Sequence, residues 1–190
     1  SMANIASGAF VDGSAAGSTL FFSNQDAAQI IPSGFISGDL SNLTVENPLG
    51  VTTDSDISLL EVFSLIQGNF TIPSSSTFTF RSSANKTAVL GIVSSGFSIS
   101  GCVVIERFIP SGTRAFRFIS SPVTTTVSCG KPTIQDNLQE GGQITDIENT
   151  PVVDPNPGYG IHITGSTTGA NGFDATKTGN PSMFTYAESQ

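Results

Sequence analysis

The chain has 190 residues, of which 37% are hydrophobic and only 12% are charged, and its formal net charge is −8. An acidic chain without a basic stripe lacks the charges that neutralise phosphates, which excludes nucleic acid and disfavours an anionic membrane surface as partners. No apolar run approaches the roughly 20 residues that a transmembrane helix needs, so membrane insertion is not expected.

The first hundred residues are predicted to form a β-solenoid. Residues 1–2 (Ser-Met) are interpreted as a cloning scar, and residues 3–100 as the solenoid region. Short apolar bursts separated by turn residues begin near residue 20, and five of them alternate strictly between apolar and polar positions: residues 43–45, 57–59, 70–72, 78–80 and 97–99. A period of two is typical of strands with one buried face, and strands this short fit stacked coils better than long hairpins.

An internal repeat supports this prediction. Residues 42–45 (NLTV) and 69–72 (NFTI) match in type at an offset of 27, and residues 96–99 (GFSI) follow at another 27. A period in the twenties is typical of a solenoid in which each turn buries its inward residues against its neighbours. We therefore predict a parallel β-helix, with a β-sandwich as the alternative.

Residues 101–123 depart from that spacing and are predicted to form an antiparallel β-ribbon. Two apolar, alternating runs flank the turn residues Pro110-Ser111-Gly112. The ribbon is expected to open a second, capping module over residues 101–190, which continues beyond the end of this chain in the natural protein. Replacing Phe116 or Phe118 with Ala is expected to cost several kcal/mol as a core deletion.

The two cysteines, Cys102 and Cys129, bracket the predicted ribbon. In an oxidising compartment they can form a disulfide that contributes about 3 kcal/mol. The alternative is a pair of free, buried thiols that pack as small apolar residues.

One short helix is predicted after the ribbon. Thr133 is expected to cap it with Asp136 three residues on, and Gly141-Gly142 to end it, with Ile134 and Leu138 on the buried side. Short strands are then expected at residues 159–164 and 183–186. The predicted class is thus all-β, a parallel β-helix followed by a small antiparallel β module with one short helix.

The second half of the chain resembles a recurrent module of large surface proteins that gliding Gram-negative bacteria export by type IX secretion. The matching segments are residues 104–110, 114–123, 134–137 with 139–141, 156–165 and 171–174. In that family the positions of Phe108 and Phe116 are commonly Tyr and Trp, so this copy departs conservatively. The resemblance implies a secreted or cell-surface location and an adhesin-like setting after β-helical repeats, and it implies no catalytic residues.

A metal site is the first candidate chemistry. Calcium needs six to eight oxygen ligands, and Asp154, Asn156 and Asp174 lie in loops that can supply several of them. No complete calcium-binding loop motif is present, and these residue types are also ordinary turn residues. We therefore expect no obligatory cofactor, with calcium as the only candidate.

Catalysis is not predicted. His162 is the single histidine and has no serine–base arrangement near it in the sequence, so a catalytic triad cannot be assembled around it. A glycosidase or lyase on a β-helix needs paired carboxylates or an acid–base cluster. The first hundred residues offer only Arg81 and Lys86 as bases, on different coils from Asp54 and Asp56.

The sequence favours a non-enzymatic segment of a large secreted or cell-surface adhesin that serves as stalk, cap or binding surface. Surface polysaccharide or another cell-surface component is the expected partner. The alternative is a carbohydrate-binding or carbohydrate-active β-helix protein, for which Tyr159 and Tyr186 are the amphipathic aromatic candidates.

Overall fold

The computed structural model describes residues 10–110, 119, 129, 133–139, 161–168 and 173–184. The chain divides into two compact units, Ser1–Pro122 and Val123–Gln190. None of the helices in these described ranges is both long and apolar enough to cross a membrane.

The first unit is built from ten short strands. They are β1 Thr19–Phe22, β2 Gln29–Ile31, β3 Leu40–Glu46, β4 Val51–Thr53, β5 Ile57–Gln67, β6 Phe70–Thr71, β7 Phe78–Phe80, β8 Val89–Val93, β9 Ile99–Ser100 and β10 Val103–Ile105. One sheet has the order β1-β3-β5-β7-β10, with β8 also paired to β5, and the other has the order β2-β4-β6-β9. All pairings between these strands are parallel.

This alternation between two parallel sheets confirms the predicted solenoid, which makes about four turns. Each turn contributes a strand to both sheets, so equivalent side chains stack in columns. One column of in-register side chains runs through Leu20, Leu43 and Phe63 and ends at Leu90, which is 49% exposed. Leu43 and Phe63 are fully buried, because each is covered by the coil on either side.

The predicted offset of 27 residues is wrong as a register. Residues 42–45 lie in β3 of one sheet, whereas Phe70 lies in β6 of the other, opposite Val51. Phe70 is in register with Ile99, at an offset of 29, and Leu43 with Phe63, at an offset of 20. The coils differ in length because their corners differ, and no single period can therefore align them.

The core lies between the two sheets and is centred on four phenylalanines. The Phe63 ring of β5 lies 5.0 Å from the Phe70 ring of β6 and 5.3 Å from the Phe78 ring of β7, measured between centroids. Phe78 in turn lies 5.2 Å from Phe80. Edge-on and tilted ring pairs of this kind add to the area that they bury, and they tie the two sheets together.

Buried polar groups shape one corner of the coils. Asn47 is fully buried, and its Nδ2 donates to the Ala27 carbonyl at 2.9 Å. Its Oδ1 accepts from the Leu49 N–H at 2.9 Å. Gly68 packs onto the Asn47 carbonyl at φ +82°, where no side chain fits. These contacts satisfy the backbone where the chain turns between sheets.

The predicted antiparallel ribbon is not confirmed. Its first arm forms β10, which pairs in parallel with β7 and so continues the solenoid sheet. The alternation of residues 103–109 was compatible with either direction, because period two reports only which side chains share a face. The second arm, including Phe116 and Phe118, falls outside the described residues apart from Ile119.

The second unit contains the predicted helix, α1 Ile134–Leu138. Thr133 Oγ1 accepts from the Asp136 N–H and the Asp136 carboxylate accepts from the Thr133 N–H, each at 3.1 Å, which completes the predicted capping box. The predicted buried face is wrong, since Ile134 is 47% exposed. A five-residue helix has too few turns to hold a continuous apolar stripe.

The remaining described residues of this unit form isolated bridges and no strand. Residue Ile161 bridges to Gln139 and Thr164 to Asp174, both in the parallel sense. Of the predicted strand at residues 159–164, the described part, 161–164, forms only these bridges, while Ile163 between them is buried. The predicted strand at 183–186 is absent at Met183 and Phe184, and its last two residues lie outside the described ranges.

Candidate functional site

Charged side chains of the solenoid gather at one irregular point, the β7–β8 loop (residues 81–88). Phe80 pairs with Leu59, and Val89 pairs with Val62. Two residues of β5 therefore separate the paired positions, whereas eight residues separate their partners on the next coil. The loop is held by an antiparallel bridge between Ser82 and Thr87. It therefore projects from the flank of the solenoid as a small hairpin.

The first residues of the loop contact Glu106, which directly follows β10. Arg81 Nη1 lies 2.7 Å from Glu106 Oε1, and Glu106 Oε2 accepts from the Ser82 N–H at 3.0 Å. The Arg81 and Glu106 side chains are partly exposed, at 37% and 23%. An exposed pair of this kind contributes about 1 kcal/mol or less, so its main effect is to position the loop.

The other end of the loop is tied to β5. Lys86 Nζ pairs with Glu61 Oε1. The hydrogen bond from Lys86 holds the pKa of Glu61 below its ordinary value of 4.5, with a smaller contribution from the Asn42 amide and an opposing one from partial burial. Asn42 Nδ2 donates to Glu61 Oε2 at 3.2 Å. Glu61 is therefore ionised at neutral pH.

A cleft of about 140 Å³ lies beside the loop. Its lining combines one apolar side chain, two hydroxyls and charges of both signs: Asp39, Leu60, Arg81, Ser82, Ser83 and Lys86. Sites for drug-sized ligands start at about 300 Å³. A single sugar ring or a smaller polar group is therefore the largest ligand that this cleft suits.

Arg81 and Lys86 are thus brought together, whereas Asp54 and Asp56 sit elsewhere, in the turn between β4 and β5. Asp56 Oδ1 accepts from the Thr77 N–H at 2.7 Å and so acts as a turn acceptor between neighbouring coils. Both aspartates are exposed. The pairing of Lys86 with Glu61 was not predicted, because the fold and not the sequence spacing brings them together.

Of the three predicted calcium ligands, Asp154 and Asn156 lie outside the described residues. Asp174 is 3% exposed, and its Oδ1 accepts from Gln139 Nε2 at 3.0 Å. Its Oδ2 lies 3.4 Å from His162 Nδ1. Within the described parts of the chain, no group of three or more His, Cys, Asp or Glu side chains is placed to hold a metal ion.

His162 faces outward, with its side chain 49% exposed, beside the buried Ile163. The contact with the Asp174 carboxylate orients the His162 imidazole ring. No signal in the sequence predicted this pairing, because the two residues come from separate loops that only the tertiary structure brings together.

Both cysteines, Cys102 and Cys129, are disulfide-bonded, and neither is a free thiol. Comparison of the chain with protein-family models, with curated proteins and with solved structures finds no match. The resemblance to type IX secretion modules therefore stays a prediction.

Proposed function

We propose that this chain is a non-enzymatic segment of a large secreted or cell-surface adhesin. The solenoid serves as a stalk or binding surface, and the region after it serves as a cap or connection to the rest of the protein. The observation that supports this most directly is the parallel pairing of strands from coil to coil in both sheets.

That pairing suits a load-bearing rod. Stacked coils rise by about 4.8 Å each and share one apolar column, so each coil supports its neighbours. The outward column of the smaller sheet begins at the exposed Ile30 and continues through the polar, uncharged Thr52, Thr71 and Ser100. A mostly polar surface of this kind is compatible with water and with glycans.

Deletion of the solenoid from the intact parent protein tests the proposal. We expect cells that carry the deletion to lose attachment to their substratum while they still display the remaining protein, as measured by surface labelling. The control is a deletion of equal length elsewhere in the protein. Unchanged attachment with normal display would contradict the role as stalk or adhesive surface, and absence of surface labelling in wild-type cells would contradict the location.

A second candidate function, carbohydrate binding, is favoured by the cleft beside the β7–β8 loop. Its hydroxyls and charged groups provide both hydrogen-bond donors and acceptors, and Leu60 provides an apolar surface. This mixture suits one sugar ring, because a sugar ring has both polar edges and an apolar face.

A glycan-array screen with and without calcium tests this second candidate. Binding through the cleft predicts that Ser83→Ala and Asp39→Asn reduce the signal at least tenfold, with the solenoid still folded by circular dichroism. The matched control is Asp54→Asn, in a turn away from the cleft. A signal that falls with Asp54→Asn, or that needs calcium, would place the sugar elsewhere.

A further inference from the structure

Three side chains on the flank of the solenoid are joined through one carboxylate. Glu61 of β5 pairs through Oε1 with Nζ of Lys86 in the β7–β8 loop. Its other oxygen, Oε2, accepts a hydrogen bond from Nδ2 of Asn42 in β3. An amine, a carboxylate and a carboxamide from three successive coils therefore share one site.

We propose that Lys86 and Asn42 form an intramolecular isopeptide bond, with Glu61 moving the protons. The reaction joins Lys86 Nζ to Asn42 Cγ and breaks the bond from Cγ to Nδ2. One molecule of ammonia leaves, and no oxidant, reductant or cofactor is consumed. The bond is a modification that goes beyond the role as a stalk or binding surface.

The carboxamide of Asn42 is held for attack. Its Oδ1 accepts a hydrogen bond from the Val62 N–H at 3.1 Å, and its Nδ2 donates to the Ser18 carbonyl at 3.0 Å. Negative charge develops on Oδ1 when an amine adds to Cγ, and a fixed backbone N–H stabilises that charge. The Val62 amide therefore has the position of an oxyanion donor.

Glu61 touches both groups that exchange protons. Glu61 Oε1 is paired with the Lys86 ammonium, so this carboxylate is positioned to take the proton that Lys86 must lose before its neutral amine can act as nucleophile. The hydrogen bond from Lys86 lowers the pKa of Glu61 and makes the carboxylate a weak base, so this proton transfer is uphill and limits the rate. The amide nitrogen leaves only once it is protonated, and the Glu61 oxygen that faces Asn42 Nδ2 can deliver that proton. One carboxylate thus serves as base and then as acid.

The partial exposure of the Lys86 and Glu61 side chains slows this reaction. The Lys86 side chain is 46% exposed and that of Glu61 is 26% exposed, so water favours the charged pair over the neutral one. We therefore expect the bond to form slowly after folding. Once formed, it fastens the second coil to the fourth and resists their separation when the solenoid is pulled.

Intact-mass spectrometry of the reduced, purified protein tests the proposal, both fresh and after prolonged incubation at neutral pH. Loss of ammonia lowers the mass by about 17 Da. We expect this loss in the wild-type chain, together with a fragment in which the peptides carrying Asn42 and Lys86 are joined. Lys86→Arg and Glu61→Gln should both abolish it, while Lys177→Arg should leave it unchanged.

Two results would overturn the proposal. A wild-type mass equal to the sequence mass at both times would leave Lys86 and Glu61 as an ion pair only. A loss of about 17 Da that persists in Lys86→Arg would instead indicate cyclisation of an asparagine with its own backbone. Circular dichroism of Lys86→Arg, which keeps the positive charge, establishes that the fold is retained in the comparison.

Discussion

Gly68, at the corner between β5 and β6, illustrates how tightly single residues are constrained. It adopts φ +82°, and a Cβ there would overlap the backbone carbonyl oxygen of Asn47 on the neighbouring coil. Gly34 has a similar φ of +73°, but its Cβ would meet nothing within 4 Å. The two positions separate the cost of the backbone conformation from the cost of the clash.

We predict that Gly68→Ala lowers the free energy of unfolding by at least about 3 kcal/mol, because backbone must move in addition to the left-handed strain. The control Gly34→Ala should lose only about 1–2 kcal/mol, the cost of a left-handed alanine. Urea denaturation followed by circular dichroism measures both. Equal losses in the two variants would show that the coils separate freely at this corner.

Asp12 gives a prediction on pH. Its Oδ1 accepts from the Ser14 hydroxyl at 2.7 Å and from the Ser14 N–H at 3.0 Å, and the hydroxyl is the larger cause that lowers the pKa of Asp12 below 3.8. Ser14→Ala should raise this pKa toward 3.8, as measured by NMR titration of the side-chain carboxyl, whereas Ser37→Ala should not.

The sign of the linked stability follows from the lowered pKa. Stability that the folded Asp12 carboxylate contributes is present above pH 3.8 and is lost as the pH falls through the folded pKa. In Ser14→Ala the contribution should be smaller and its loss should be complete at a higher pH, because the folded pKa then lies closer to 3.8. An unchanged Asp12 titration would contradict the hydrogen bond from the hydroxyl.

At the scale of elements, the β7–β8 loop is an insertion between two segments that both pair with β5. Leu60 and Glu61 separate the two paired positions on β5, and residues 81–88 separate their partners Phe80 and Val89. The Ala88 N–H already donates to the Arg81 carbonyl at 2.8 Å, so the two ends of the loop are adjacent.

We predict that deleting residues 82–87 leaves the solenoid folded. Arg81 and Ala88 would then be the two residues opposite Leu60 and Glu61, and β7 and β8 would form one strand in register with β5 from Ile57 to Phe63. The unfolding free energy should change by no more than about 1 kcal/mol, since the one ion pair lost, Lys86–Glu61, is partly exposed and a shorter loop closes more easily. Deleting six residues within β5 should unfold the protein, and equal damage from both deletions would contradict the assignment of the loop as an insertion.

The strands could be predicted from the sequence, but their pairing partners could not. Alternation identified the paired segments at residues 43–45, 57–59, 70–72 and 78–80 as strands, because period two depends only on which face of each strand is buried. It could not identify their partners. An insertion such as the β7–β8 loop changes the coil length without changing the alternation, and so the offset of 27 aligned strands from different sheets.

The whole solenoid is expected to unfold as one body, because its two sheets share a single core cluster. Phe63 of β5 is fully buried and contacts Phe70 of the opposite sheet. We predict that Phe63→Ala costs about 3–5 kcal/mol and lowers amide protection in both sheets together. The control Phe21→Ala, at a 50% exposed side chain, should cost under about 1 kcal/mol. Loss of protection confined to one sheet would argue for independent folding of the sheets.

The sequence by itself determined that this protein is built from short, half-buried strands stacked as a solenoid, that Thr133 and Asp136 cap a helix, and that its surface is polar with few charges. These properties are local, because they depend on alternation, capping and composition within a few residues. The tertiary structure alone decided the register of the coils, the parallel direction of β10 and the meeting of Asn42, Glu61 and Lys86. Those features depend on the lengths of the corners between strands, which position residues of different coils against one another and leave no period in the sequence.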